Sequence, residues 1–293
     1  MYPQLIEKFI QQEKLPASYA EDASQCFLPL IRDLTDHLER SSKRPFVLGI
    51  NGAQGTGKST MAKLLAILLE DRNYRVANLS IDDFYYSKAW RESLASTVHP
   101  LLRSRGVPGT HDVSLALSIL NQLSAAGAGD SIRIPGFDKA HDDCLANETC
   151  RTVCGPIDVI IFEGWFVGVT PQTEKELQQP LNRLESDEDS DRRWRNYTNQ
   201  QLAGDYQTLF AQFDMLLMLK APDFEQVFAW RSLQEQKLRA KTEGTATELM
   251  DGNAIQHFIQ HFERLTRHCL LILPDKADRV FILDEQHRIH CSP

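Results

Sequence analysis

Apolar positions in this chain recur with two different spacings, and segments of the two kinds alternate along it. Between 18 and 40, Ala23, Phe27, Leu30, Ile31, Leu34 and Leu38 fall three or four residues apart, the repeat of one helical face. Ser18 and Glu21, just after Pro16, have the spacing of a capping box, so the pattern predicts a long helix starting there. The basic stretch 41–44 and Pro45 end it. The runs FVLGIN at 46–51, RVANLSI at 75–81, IDVIIF at 157–162 and DMLLML at 214–219 have the length and apolar content of buried parallel strands. VFIL at 280–283 is a candidate fifth strand. Met61, Leu64, Leu65 and Leu68 mark a helix after the first strand, and further helical segments fall at about 111–127, 222–243 and 250–268. Strands alternating with helices predict an α/β fold with a mainly parallel sheet. The strand at 131–134 reads as a peripheral hairpin element, and ESDEDSDRR at 185–193 as a solvated loop or helix end. No internal repeat is present.

Length and charge narrow this picture. With 293 residues the chain fits one large domain or two small ones. We expect a single domain over 1–293, with a helical N-terminal extension over 1–44. A formal charge of −8 argues against a nucleic-acid binder, whose affinity comes from neutralising phosphates. It leaves room for a small anionic substrate in a local basic pocket. The start MYPQLIEKFIQQEKLP lacks the basic and apolar regions of a signal peptide, and no apolar run approaches the ~20 residues that span a bilayer. The expectation is a soluble, cytoplasmic protein without membrane contact, its oligomeric state open. Most of the six cysteines are then expected as free thiols. His141, Cys144, Cys150 and Cys154 cluster in sequence, but without a CxxC pair or a common zinc spacing, so structural thiols are the expectation.

The sharpest local signal is the octapeptide Gly52, Ala53, Gln54, Gly55, Thr56, Gly57, Lys58, Ser59, a complete GxxxxGK[ST] match followed by Thr60. A strand precedes it and an amphipathic helix follows, as a phosphate-binding loop requires. Its glycines let backbone N–H groups turn inward, and the helix N-terminus adds partial positive charge. Lys58 can reach the β- and γ-phosphates of ATP, and the Ser59 hydroxyl can ligate Mg²⁺. No DxxG or NKxD sequence of a GTPase is present, and the third strand ends in one carboxylate, Glu163, where a motor ATPase carries an Asp-Glu pair. A small-molecule kinase is favoured.

The acceptor side of such an enzyme is sought at the carboxyl ends of the strands. Asp82 and Asp83 follow the second strand; from an extended segment only one of them can face a site, the alternative being a pair that caps a helix. A carboxylate there can take the proton of an attacking hydroxyl. The P-loop, LSIDDFY at 79–85 and IIFEGW at 160–165 together resemble the phosphoribulokinase, uridine kinase and pantothenate kinase group. Within it, RGVPGTHD at 105–112, FEGW at 162–165 and FDK at 137–139 resemble D-glycerate 3-kinases and their kinase-like relatives.

The resemblance covers about residues 44–285 and implies a three-layer P-loop NTPase fold with a lid. It implies Asp82 as general base and Glu163 as the acidic group near Mg²⁺ and the acceptor. Tyr85, Arg105, His111, Asp112, Asp138 and Lys139 become candidates for binding the acceptor, Arg105 and Lys139 for a carboxylate. Asp112 is equally placed to cap the helix after it. The segment after Lys139, AHDDCLANETC, lacks the Ser and the GDR sequence of the glycerate kinases. A lid in the region 222–243 offers Arg231 first and Lys237 second as the cation over the phosphates; a solvated helix with Arg231 paired to Glu235 is the alternative. The reading is an ATP- and Mg²⁺-dependent kinase for a small hydroxy acid, with D-glycerate the first choice. A nucleoside, pantothenate or sugar phosphate as acceptor, or a regulatory ATPase without one, remains the alternative.

Overall fold

The computed structural model describes residues 2–41, 43–241 and 252–291. In chain order the strands are β1 (Phe46–Gly52), β2 (Val76–Ser80), β3 (Ser131–Arg133), β4 (Phe137–Asp138), β5 (Asp143–Cys144), β6 (Thr152–Cys154), β7 (Val159–Gly164), β8 (Met215–Lys220), β9 (Arg279–Leu283) and β10 (Ile289–Cys291). The helices are α1 (Tyr2–Glu13), α2 (Tyr19–Asp22), α3 (Leu28–Arg40), α4 (Lys58–Glu70), α5 (Lys88–Thr97), α6 (Val113–Ala125), α7 (Arg183–Glu188), α8 (Arg193–Ala203), α9 (Asp205–Phe210), α10 (Phe224–Lys241) and α11 (Gly252–Ile272).

The central sheet runs β10-β9-β8-β1-β7-β2, with every pairing parallel except β9 with β10. All seven residues of β1 are buried, because helices cover both faces of the sheet. The alternation of strand side chains sorts β1 and β7 between two cores. Leu48, Ile50, Val159 and Ile161 join α1, α3 and α4 through Phe9, Phe27, Ile31, Leu34 and Leu65. Val47, Ile160 and Phe162 join the opposite core with Ile119, Leu120, Phe166 and Leu209. This is the α/β three-layer architecture expected of a P-loop NTPase. The pair β3–β6 forms the peripheral antiparallel element expected near 131.

Three details depart from the sequence reading. The helix expected over 18–40 runs unbroken from Tyr19 to Arg40 but is not α-helical throughout: α2 and α3 are joined by a π-helical turn, Ala23–Phe27, just before Pro29. Proline has no N–H to give to the carbonyl four residues back, and the widened turn passes the chain around that missing bond. Ser18 makes no capping bond, since its own backbone is already helical (φ −58°, ψ −23°). Glu21 and Asp22 instead pair with Arg288 beside β10.

The acidic run 185–193 is not simply solvated. Glu185 and Asp189 are fully buried, Glu185 held by both sides of the Arg264 fork and Asp189 by Arg195 Nη1 and the Trp194 N–H. A buried carboxylate is tolerated where such a planar partner satisfies it. Finally, Cys26 in the π-turn is joined to Cys291 in β10, while Cys144, Cys150, Cys154 and Cys269 are free. Among the described residues no helix is long and apolar enough to cross a membrane.

Candidate active site

The carboxyl end of β1 opens directly into the GxxxxGK[ST] loop, which caps α4. Gly57 is the residue before α4 and has φ +85°, and Gly55 has φ +83°, the left-handed region that glycine enters at little cost. A Cβ on Gly57 would meet nothing within 4 Å, so the cradle is open at that point. A Cβ on Gly55 would come to 3.1 Å from Trp230 of α10. The loop is braced internally by the Thr56 hydroxyl, which donates to the Ala53 carbonyl at 2.8 Å.

Around this loop lies a cleft of about 700 Å³. Gln54, Gly55, Gly57, Lys58, Ser59 and Thr60 line it from the loop; Asp82, Tyr85, Arg105, Lys139 and Arg231 line it from four other segments. The topology brings these together: β1 and β7 are neighbours and β2 follows, so Gly52, Glu163 and Ser80 all lie at one end of the sheet.

Glu163 ends β7 nearly buried, pairing in register with Ile50 and Ser80. Its Oε1 accepts the Ser59 hydroxyl at 2.8 Å, and Lys58 Nζ stands 3.9 Å from Oε2. Oε2 is buried and has no hydrogen-bond partner among the described residues. A hydroxyl and a carboxylate with a spare buried oxygen are hard oxygen donors of the kind Mg²⁺ takes, so the residues present fit that ion.

Asp82 does not sit on an extended strand. β2 stops at Ser80 and the chain turns through a single 3₁₀ segment, Ile81–Phe84. The turn itself separates the two carboxylates. Asp83 folds back to accept the Ser80 N–H at 3.1 Å and lies 3.6 Å from Arg151. Asp82 faces the cleft, with Oδ1 accepting the Tyr85 hydroxyl at 2.9 Å and Oδ2 accepting Lys139 Nζ at 2.6 Å. Burial pushes the Asp82 carboxyl up, but the Lys139 and Lys58 charges outweigh it and hold the group below the usual carboxylate range. Asp83 is shifted the other way, mainly by burial. Burial and the neighbouring Asp82 carboxylate together raise the Tyr85 phenol well above its ordinary value.

Glu163 lies behind Ser59 rather than in the cleft lining, and three of the acceptor-side candidates also stand outside it. Asp112 caps α6, accepting the Leu115 N–H at 2.9 Å. Asp138 is spent on its own turn, accepting from the Ala140 and His141 backbones and the His141 ring. His111 is buried and stacks on Tyr85 with ring centroids 4.5 Å apart. Its Nδ1 lies 2.8 Å from the Tyr206 hydroxyl, which also accepts the Gly109 N–H. Burial pushes the His111 imidazole down to about 3, so it is neutral near pH 7.

On α10, Arg231 lies over the Phe258 ring at 5.9 Å. The Lys237 side chain lies outside the described residues. Three members of the cysteine cluster find separate neighbours: Cys144 the Tyr85 carbonyl, Cys150 the Ala146 carbonyl and His141 the Asp138 carboxylate.

Some cleft residues carry no motif that would mark them. Trp230 stacks on His287 at 3.9 Å between ring centroids, and His287 Nε2 is 3.0 Å from the Gly55 carbonyl. Phe258 and Phe262 reach the cleft from α11, and Leu15 from the N-terminal extension. Trp165, which closes the FEGW motif two residues after Glu163, donates its indole N–H to the Gly106 carbonyl at 3.0 Å and so ties the Arg105 loop to the end of β7.

Comparison with known proteins agrees with the fold. The family model described as the KAP family P-loop domain matches residues 27–122. The uncharacterized kinase mug58 of Schizosaccharomyces pombe is 31% identical over 274 residues, 84% of this chain and 95% of that protein. The chloroplastic D-glycerate 3-kinase of Arabidopsis thaliana is 28% identical over 202 residues, 67% of this chain and 42% of that one. Among solved structures, a D-glycerate 3-kinase from Cryptococcus neoformans superposes with a TM-score of 0.73 at 27% identity, covering 90% of this chain and 96% of its own. With a strand–P-loop–helix at the centre of its sheet and a relative matched over nearly its full length, the chain belongs to the D-glycerate 3-kinase and kinase-like family of P-loop kinases, related to the phosphoribulokinase, uridine kinase and pantothenate kinase group.

Proposed function

We propose that the protein transfers the γ-phosphoryl group of ATP to a hydroxyl of a small hydroxy acid, D-glycerate before others. The observation that carries this reading is the Asp82–Lys139 pair facing the same cleft as Lys58 and Ser59. It puts a carboxylate and a cation for the acceptor opposite a cradle for the phosphates. Residues 1–293 act as one kinase domain in this reading, with 1–44 as its extension and about 222–243 as its lid.

In the reaction, the acceptor oxygen bonds to the γ-phosphorus while the bond from that phosphorus to the β-phosphate oxygen breaks, and ADP leaves. The hydroxyl proton passes to Asp82. A carboxylate held below its ordinary pKa range is ionised at pH 7 and ready to receive it, and a loose phosphoryl transition state asks for little base strength. Most of the rate comes from positioning and charge, which makes Lys58 and the lid cation Arg231 the main contributors. Ser59 and Glu163 would hold Mg²⁺, which supplies neutralisation of phosphate charge.

Arg105 and Lys139 favour an acceptor with one carboxylate. Each already faces one protein carboxylate, Asp142 and Asp82 respectively, so the cationic surplus is modest. That suits a hydroxy acid better than a phosphorylated sugar. The test is a coupled ADP-release screen over hydroxy acids, nucleosides, pantothenate and sugar phosphates. D-glycerate or a close analogue should give the highest kcat/KM. A higher value for uridine or pantothenate defeats the assignment, and ATP binding without stimulation by any acceptor favours a regulatory ATPase.

A further inference from the structure

Arg91 on α5 is among the most buried side chains of the protein, at 1% exposure, and lies outside the cleft. Arginine is seldom buried so fully without a task, because its charge must be satisfied on every side. Here its three nitrogens reach three separate segments. Nε donates to the Tyr86 carbonyl at 3.2 Å, Nη1 to the Arg103 carbonyl at 2.7 Å and Nη2 to the Asp142 carbonyl at 2.7 Å. Nη2 also lies 3.0 Å from the Asp142 carboxylate, and the guanidinium stands 5.7 Å from the centre of the Phe137 ring.

Those three segments carry the acceptor side. Tyr86 follows Tyr85, Arg103 lies two residues before Arg105, and Phe137 and Asp142 flank Lys139 in the β4–β5 hairpin. Asp142 is shared: its carboxylate bonds Arg105 as well as Arg91, and Phe137 takes the Arg105 guanidinium at 5.3 Å. Arg91 and Arg105 thus grip one carboxylate and one ring.

We propose that Arg91 is a positioning residue for the acceptor, fixing Arg105 and Lys139 relative to Asp82 without touching the substrate itself. The inference rests on the acceptor reading above. A lysine at 91 keeps the charge but has no planar fork, so it cannot hold three carbonyls in fixed directions. The hairpin and the Arg105 loop then lose their common anchor, while the P-loop, which Arg91 does not contact, keeps its form.

The experiment compares wild type, Arg91→Lys and Arg91→Met in three measurements. In steady-state kinetics with the best acceptor of the screen, Arg91→Met should raise the acceptor KM by about 10-fold or more and Arg91→Lys by less, with nucleotide Kd within about twofold of wild type in both, as expected for loss of a supporting contact. Equal shifts in acceptor KM and nucleotide Kd, or no shift in either, overturn the proposal. If Arg91→Met does not fold, as loss of nucleotide binding would reveal, Arg91→Lys alone decides. Hydrogen exchange of the amides in 137–145 needs no acceptor. It should quicken in the variants, with α4 unchanged. Unchanged exchange there overturns the anchoring role whatever the substrate. Quickened exchange in a protein whose wild type shows no acceptor-dependent turnover overturns the acceptor reading and leaves the anchor standing.

Discussion

The Ser59 hydroxyl donates to Glu163 Oε1 at 2.8 Å across 104 positions of sequence, joining the first turn of α4 to the last residues of β7. Neither group is placed there by its own segment alone. Ser59 is fixed by the left-handed turn at Gly57, and Glu163 by the parallel register that sets it beside Ile50. The bond leaves Oε2 buried with no hydrogen-bond partner among the described residues. A buried carboxylate oxygen costs free energy unless something satisfies it. A bound cation, with Lys58 nearby, would do so.

Glu163→Gln should therefore act through Mg²⁺. The amide keeps the shape and still accepts from Ser59, but brings no charge to the ion. The Mg²⁺ concentration for half-maximal rate should rise by about 10-fold or more, given that even supporting groups around a metal are worth that much. Titrating Mg²⁺ at saturating ATP checks it. An unchanged midpoint would remove Glu163 from the metal site.

Lys58→Ala removes the ammonium that the loop presents to the phosphates. Turnover should fall by at least ~10²-fold, the size of losing one strong preorganised electrostatic contact. Because Lys58 is 3.9 Å from Glu163 Oε2, the variant also leaves that carboxylate less compensated, and some loss of thermal stability should accompany the loss of rate. Circular dichroism separates the two, and near-normal turnover in the folded variant sinks the assignment.

Asp82→Asn and Asp83→Asn should separate cleanly. Asp82 meets Lys139 and Tyr85 in the cleft, so its amide variant should lower kcat by ~10²–10⁴-fold, the span of acid–base catalysis, with little change in ATP affinity. Asp83 caps the 3₁₀ turn through the Ser80 N–H, a bond that an amide oxygen there can still accept, so its variant should change stability by no more than about 0.5 kcal/mol and leave turnover within a few-fold. The opposite ranking in kcat would mean that Asp83 takes the proton.

Much of this site can be read in the sequence, for a physical reason. A phosphate cradle needs glycines at positive φ and a helix start, and those needs are local, so Gly52 to Ser59 shows them within eight residues. The separation of Asp82 from Asp83 has a different origin from the strand alternation that predicts it. A 3₁₀ turn with Asp83 bonded back to Ser80 does the sorting, and alternation beyond a strand end has no force. Asp112 and Asp138 belong to a motif yet serve their own backbone, because a carboxylate two or three residues before free N–H groups is captured by them.

Arg91, His287 and Trp230 have no sequence signal. Their roles depend on contacts between separate segments, 5 to 232 positions away, which no periodicity encodes. The buried Glu185 and Asp189 are hidden for the same reason, since their arginines lie 79 and 6 positions off.

The acid stability of the fold offers a test of burial independent of catalysis. His261 on α11 is 5% exposed, and burial pushes its imidazole down to about 4; His111 goes down to about 3 for the same cause. Both titrate near 6.5 in an unfolded chain. Between that value and about 4 the unfolded state binds a proton at each position that the folded state refuses, so stability falls as the pH falls. Each histidine contributes up to about 1.4 kcal/mol per pH unit in that window. His261 donates from Nδ1 to the His257 carbonyl at 3.2 Å and packs its ring edge to face with Trp194, so Phe can fill the space while losing one hydrogen bond. His261→Phe should be somewhat less stable than wild type at pH 7.5 and should lose less on going to pH 5, by about 1.4 kcal/mol per unit. Urea midpoints of both proteins at pH 7.5, 6.5, 5.5 and 5.0 measure the two slopes. Parallel slopes would show that His261 takes up its proton in the folded protein as readily as in the unfolded one, and would leave His111 as the source of the acid loss.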